Sequence, residues 1–295
     1  MRFPLKPVDM LSLLVIAALS TVTVVFNRSL PSWGWIIARY CLLAFAIVML
    51  AVYAHRSHTW RPVRTLYTFL PILIIPVIFD SLGDLIPWIR SRYVDDLLIQ
   101  IDHGLFGVHP TVWMERFIHP ALTNLLQVAY CSYYCIPISL GVLLAVRGKQ
   151  KDFDDAVFGI VLCFYLSYLG YLLFPAVGPR FTLERMQTVS FQESPIAVTI
   201  QNILNRLENT KTDAFPSGHT AVALMTVYYA WKCREKALFW ILLPVVSALM
   251  ISTVYLRYHY VIDVMAGVLL TAVTIYLAPR ASKRLSSAST EQPQG

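Results

Sequence analysis

The chain has 295 residues, 57% of them hydrophobic and 14% charged, with a formal net charge of +7. A soluble domain carries roughly 25% charged residues, and several apolar runs here approach the roughly 20 residues that cross a bilayer. An ordinary soluble domain is thereby excluded. The positive charge does not point to nucleic acid either, because the basic residues sit in short loops between apolar runs, the positive-inside pattern of a membrane protein.

In chain order, a short basic segment (Arg2, Lys6) precedes an apolar run from about Asp9 to Asn27. No small-x-small cleavage site follows it, so it reads as a first transmembrane helix and not as a signal peptide. A second run over 33–53 carries Arg39 near its outer end, where a long basic side chain can snorkel to the interface. Arg56, Arg61 and Arg64 mark the loop 54–64, and a third run over 65–80 ends at Asp80.

From Ser81 to Pro120 the chain mixes Asp84, Asp95, Asp96, Asp102 and Glu115 with Trp88, Trp113 and Phe117. Val94, Leu97, Leu98, Ile101 and Leu105 recur every three or four residues, which predicts an amphipathic helix on the membrane surface with solvated acidic side chains. His103, His109 and His119 have no metal-ligand spacing, and no metal site is expected. Cys131 and Cys135, four apart, read as packing residues.

Further apolar runs cover 121–146, 154–176, 218–231, 237–256 and 260–279. The sequence thus predicts an all-α polytopic membrane bundle of about eight transmembrane helices. Two lie in 1–64, six span 65–279, and the polar stretch 280–295 reads as a disordered cytoplasmic tail. Starting the amino terminus in the cytoplasm places every short basic loop inside: 54–64, Arg147 to Lys151, Lys232 to Lys236, and Arg280 to Arg284. Both ends are then cytoplasmic, in a plasma or inner membrane. The loop 177–216 and the junction 257–259 fall together on the extracytoplasmic side.

Those two stretches carry the chemistry. In Asp213-Ala214-Phe215-Pro216-Ser217-Gly218-His219-Thr220, Gly218 permits close backbone approach, and the amides opening the next helix point at negative charge. His219 adds a group that titrates near neutrality. In Arg257-Tyr258-His259-Tyr260-Val261-Ile262-Asp263, His259 and Asp263 stand at i, i+4 on one helix face. Asp263 can accept the Nδ1 proton of His259 and leave Nε2 free as a nucleophile. Arg257, Arg180 and Lys211 bring positive charge to the same side. A phosphoryl group in transfer asks for such a ring of donors. Ionisable residues at membrane depth cost about 2.5–3.5 kcal/mol each, so they usually serve a function.

Phe215-Pro216-Ser217-Gly218-His219 and His259-x-x-x-Asp263 resemble the second and third signature motifs of the type-2 phosphatidic acid phosphatase and vanadium haloperoxidase superfamily. The resemblance implies that His259 attacks phosphorus to form a phosphohistidine, that Asp263 orients it, and that His219 protonates the leaving oxygen. It implies further that Ser217 and Gly218 hold the phosphate, with Arg180 and Arg257 as reassigned phosphate ligands. The first motif is reduced to Gly178-Pro179-Arg180, with Leu173 where the family has Lys. Thr253 stands six residues before His259 in place of Arg, and Arg257 lies nearer. This arrangement, with Trp113-Met114-Glu115-Arg116-Phe117 and His119-Pro120, looks like the inositol phosphorylceramide synthase branch.

The expected activity is a membrane lipid phosphatase, with a lipid phosphotransferase as the alternative; the two differ in whether water or an alcohol receives the phosphoryl group. A haloperoxidase is disfavoured by the membrane character, and a transporter by charges that cluster at helix ends on one side without an internal repeat. The mechanism that the resemblance implies needs no metal or organic cofactor. The expected partners are a lipid phosphate and the bilayer, not nucleic acid.

Overall fold

The structure, a computed structural model, describes residues 5–56, 61–191, 198–200, 202–203 and 210–288. Three long apolar helices open the chain: α1 (Pro7–Val25), α2 (Trp33–Arg56) and α3 (Arg61–Ile89). Shorter helices follow: α4 (Asp95–Phe106), α5 (Pro110–Trp113) and, after a 3₁₀ turn at Met114–Phe117, α6 (Pro120–Cys131). Next come α7 (Cys135–Val146), α8 (Gln150–Leu173) and the single turn α9 (Pro179–Thr182). The chain closes with α10 (Gly218–Lys232), α11 (Lys236–Tyr255) and α12 (Val261–Ala288). Among the described residues the fold is all-helical, with one parallel bridge, Ala176 to Asp213.

Seven stretches among the described residues are long and apolar enough to cross a membrane. Pro120–Val146 counts as one of them, although a 3₁₀ turn at Ser132–Tyr134 divides it into α6 and α7 and separates Cys131 from Cys135. The sixth apolar run, 218–231, folds as α10, at 15 residues too short for that count. It occupies the centre of the bundle against α7, α8, α11 and α12. Ala221, Val222, Ala223, Met225, Thr226 and Ala230 are buried all round it, the signature of a helix enclosed by protein.

The two larger of four apolar clusters among the described residues hold the bundle. One joins Ile16 and Leu19 of α1, Ile36 and Tyr40 of α2, Ile78 and Leu82 of α3, and Tyr165 and Tyr168 of α8. The other joins Leu140 and Leu144 of α7, Phe153 and Cys163 of α8, α10, and Val246 and Leu249 of α11. At one end of the bundle Glu235 is buried between Arg147 and Lys149, and Lys6 pairs with Asp154. The basic loops therefore gather at the end opposite the starts of α10 and α12.

Four expectations change. Arg39 does not merely snorkel: it bridges Asp80 and Asp84 of α3 at 3.1 and 3.4 Å, which satisfies all three charges near the membrane end. The third run does not stop at Asp80 but continues as helix to Ile89, through Pro71, Pro76 and Pro87. The segment 280–288 is not disordered; it extends α12, with Ala281 and Leu285 packed on the core beside α1. The remainder of that tail lies outside the described residues, as do Arg2 and positions 57–60 of the first basic loop.

The fourth concerns the surface helix. α4 forms where the periodicity placed it, but its buried face is Asp95, Leu98 and Asp102, while Leu97 and Leu105 are 55% and 57% exposed. In a membrane protein apolar side chains can face outward at no cost, and the acids turn inward because backbone amides of the bundle await them.

Candidate functional site

The site forms where four helix ends meet: the end of α8, the start of α10, the end of α11 and the start of α12. Two backbone devices bring them together. Ala214 N–H donates to Ala176 O at 3.0 Å, which lays the segment before α10 along the segment after α8. The turn between α11 and α12 closes on itself, with Tyr258 N–H to Thr253 O at 2.9 Å and Arg257 N–H to Val254 O at 3.0 Å. This is a Schellman-type end, in which Arg257 takes the left-handed position that glycine usually fills (φ 66°). Its carbonyl in turn accepts Arg180 N–H at 3.0 Å.

His259 is buried between these segments. Its Nδ1 lies 2.7 Å from the Ala214 carbonyl oxygen and 3.4 Å from Asp263 Oδ2. A carbonyl only accepts, so Nδ1 carries the proton and Nε2 presents its lone pair. That Nε2 faces His219 Nδ1 at 3.4 Å. The second carboxylate oxygen of Asp263, Oδ1, is buried without a hydrogen-bond partner among the described residues, while Oδ2 also accepts Tyr260 N–H at 2.8 Å. The i, i+4 pairing expected from the spacing is present, with Ala214 as a closer acceptor that side-chain reasoning could not supply.

His219 is fixed by aromatic faces. Tyr130 stacks on it with ring centroids 4.7 Å apart, Tyr133 lies at 4.3 Å, and Tyr130 continues onto Tyr258 at 4.3 Å. Ser217 caps α10 through its Oγ, which accepts Thr220 N–H at 3.3 Å, and its own N–H donates to Asp263 O at 3.0 Å. Gly218 is buried, and a Cβ there would stand 2.3 Å from the Tyr171 hydroxyl. The glycine is thus required by Tyr171. Ser217 and Gly218 are buried and are not among the residues that line the cavity next to His259.

That cavity holds about 490 Å³ of empty space, its mouth included, and is bordered by Arg180, Lys211, Asp213, Arg257, Tyr258 and His259. The Arg180 guanidinium lies over the Tyr258 and Phe181 rings at 5.1 and 4.6 Å. Arg257 is bound to protein: Nη2 donates to Glu115 Oε1 at 2.7 Å and to Val189 O at 2.6 Å, while its buried Nε has no hydrogen-bond partner among the described residues. Burial holds the Asp213 carboxyl above the usual carboxylate range, opposed by nearby His259 and Arg180.

Sequence reasoning missed Asp95 and Asp102 of α4. Asp95 accepts Val177 N–H at 3.0 Å, Gly178 N–H at 2.9 Å and the Tyr260 hydroxyl at 2.9 Å. Asp102 accepts Val261 N–H at 2.8 Å and Ile262 N–H at 2.9 Å. Burial raises its carboxyl above the ordinary range, while those amides and His109 oppose the rise. Their seven-residue spacing, two turns apart on one face, was the available signal. The histidines of that region do other things: His103 and His109 face each other with ring centroids 5.0 Å apart, and His119 caps α6, its Nδ1 accepting Ala121 N–H at 3.3 Å.

The family model described as the PAP2 superfamily matches residues 97–277, more than half of the chain. A PA-phosphatase related-family protein of Dictyostelium discoideum is similar, with 23% identity over 179 residues, 53% of this chain and 32% of the relative. The match therefore spans about a third of that relative's length. No solved structure matches the chain.

Proposed function

The chain belongs to the PAP2 superfamily, whose members are phosphatases or phosphotransferases, and we propose that it hydrolyses a lipid phosphate monoester or diphosphate through a phosphohistidine on His259. The observation that carries this reading is the state of the His259 ring: its Nδ1 proton is held by Ala214 O and Asp263, which leaves the Nε2 lone pair facing His219 at the cavity edge.

In the first step the Nε2 lone pair forms a bond to phosphorus as the ester P–O bond breaks. The leaving oxygen takes the Nδ1 proton of His219 in its imidazolium form and departs as an alcohol, or as a phosphate monoester from a diphosphate. Asp263 balances the positive charge that develops on the phosphorylated His259 ring. In the second step water attacks phosphorus, the N–P bond breaks, and the water proton passes to His219, restoring the starting state. Arg180 stabilises the equatorial oxygens, the positive end of α10 behind Ser217 and Gly218 adds to the field, and the Arg257 Nε–H is available to a substrate oxygen. No step uses a metal or an organic cofactor.

The basic loops at the far end of the bundle support an extracytoplasmic site with both termini cytoplasmic. The test is incubation of the purified protein with labelled phosphatidate, isoprenyl diphosphate and sphingolipid phosphates. Release of free phosphate supports the reading. Transfer of label to a lipid alcohol without free phosphate would make the enzyme a phosphotransferase.

A further inference from the structure

α4 lies outside the long helices, yet it touches both segments that carry the site. Three successive N–H groups at the start of α12 are taken by carboxylates: that of Tyr260 by Asp263, and those of Val261 and Ile262 by Asp102. The first amides of a helix have no partner within it, so an acid supplied by another helix fixes where the helix begins. His259 immediately precedes these amides, and its ring position follows from theirs. On the other side of the cavity, Asp95 fixes the amides of Val177 and Gly178, two residues before Arg180. Gly178 has φ 88°, and a Cβ there would stand 2.6 Å from Tyr258 O, so this turn is packed directly on the α11–α12 turn. The Tyr260 hydroxyl, also bonded to Thr182 at 2.6 Å, closes the circuit onto Asp95.

We propose that Asp95 and Asp102 are positioning residues: α4 is a two-point clamp, in which Asp102 sets the approach of His259 to phosphorus and Asp95 sets the Arg180 turn that receives the phosphate. Both oxygens of each carboxylate accept N–H groups. An asparagine offers one acceptor and turns an NH2 toward an amide, so the isosteric change breaks the clamp without altering its size. Leu98, between the two acids and buried, holds the spacing. The two functions separate because the two acids grip different segments: misplacing a nucleophile slows the chemical step, whereas misplacing a phosphate ligand weakens binding.

This inference rests on the proposed phosphohistidine mechanism, and the experiment separates the two. Asp102→Asn, Asp95→Asn and wild type are compared for kcat and KM on a lipid phosphate, for melting temperature, and for hydrogen exchange at the Val261 and Ile262 amides. Asp102→Asn is expected to lower kcat on the order of 10²-fold with KM changed less than about 2-fold, and to speed exchange at both amides. Asp95→Asn is expected to raise KM on the order of 10-fold with a smaller change in kcat. Should Asp102→Asn fail to fold, Asp102→Glu, which keeps the charge but displaces it by one methylene, is read in the same way. Wild-type kinetics in both variants, or the same fall in kcat, rise in KM and drop in melting temperature in both, overturns the clamp. A wild type that releases no phosphate from any lipid sinks the mechanism instead, and the exchange rates then decide the clamp alone: unchanged protection at Val261 and Ile262 overturns it.

Discussion

The Nδ1 of His259 lies nearer the Ala214 carbonyl oxygen, at 2.7 Å, than the Asp263 carboxylate, at 3.4 Å. The backbone therefore fixes the tautomer, and the carboxylate is left to balance charge. Where a triad carboxylate alone sets the tautomer, its amide variant loses about 10⁴-fold in kcat. Asp263→Asn is expected to lose less, on the order of 10²-fold, because Ala214 still holds the productive tautomer. Steady-state kinetics on folded protein checks this; a loss as complete as that of His259→Ala would show that Asp263 sets the tautomer alone.

His219→Ala should discriminate between leaving groups. An alkoxide needs the proton that His219 delivers, whereas an aryl oxide leaves without one. The expected loss is about 10²- to 10⁴-fold on a lipid phosphate and much smaller on an aryl phosphate. Equal losses on the two substrates would remove the general-acid role.

The glycine of the Pro-Ser-Gly-His turn yields a stability prediction. A Cβ at 218 meets the Tyr171 hydroxyl at 2.3 Å, so Gly218→Ala should destabilise the fold by about 1–3 kcal/mol, as overpacking does. Adding Tyr171→Phe removes the opposing oxygen and should restore most of the melting temperature. If the double variant melts no higher than the single one, the glycine is needed for another reason.

Asp213 gives a dependence on pH. Burial raises its folded-state pKa, so the folded protein holds the proton more tightly than the unfolded chain. Its contribution to stability is greatest below the ordinary carboxylate range and falls as pH rises toward the elevated folded value. Asp213→Asn should accordingly melt higher than wild type at neutral pH, with the difference shrinking to zero in acid. Melting curves between about pH 4 and pH 8 test the sign; a variant less stable than wild type at neutral pH contradicts it.

The elements that the sequence exposed best were those whose pattern is local. The starts of α10 and α12 were legible because Ser217-Gly218-His219 and His259-x-x-x-Asp263 declare a cap and a shared helix face, and their meeting followed from counting helices between basic loops. The pairing of Arg257 with Glu115 was not legible, since it joins residues 142 apart through a turn that no periodicity marks. α4 misled for a physical reason: an apolar stripe names the buried face only when the other side is water. Beside a bilayer Leu97 and Leu105 can face out, and the identity of the inward face rests on orphan amides of other helices. Ala214 could not be found at all, because its contribution is a carbonyl that every residue possesses.

The proposed mechanism requires a covalent bond between His259 and phosphorus. The direct measurement is rapid quenching of the purified protein with radiolabelled lipid phosphate, digestion, and mass spectrometry of the peptide that contains His259. The expected result is an acid-labile, alkali-stable phosphoryl group on His259 that forms faster than phosphate is released and is absent from His259→Ala. Label on any other side chain, or label that persists in His259→Ala, would contradict the mechanism.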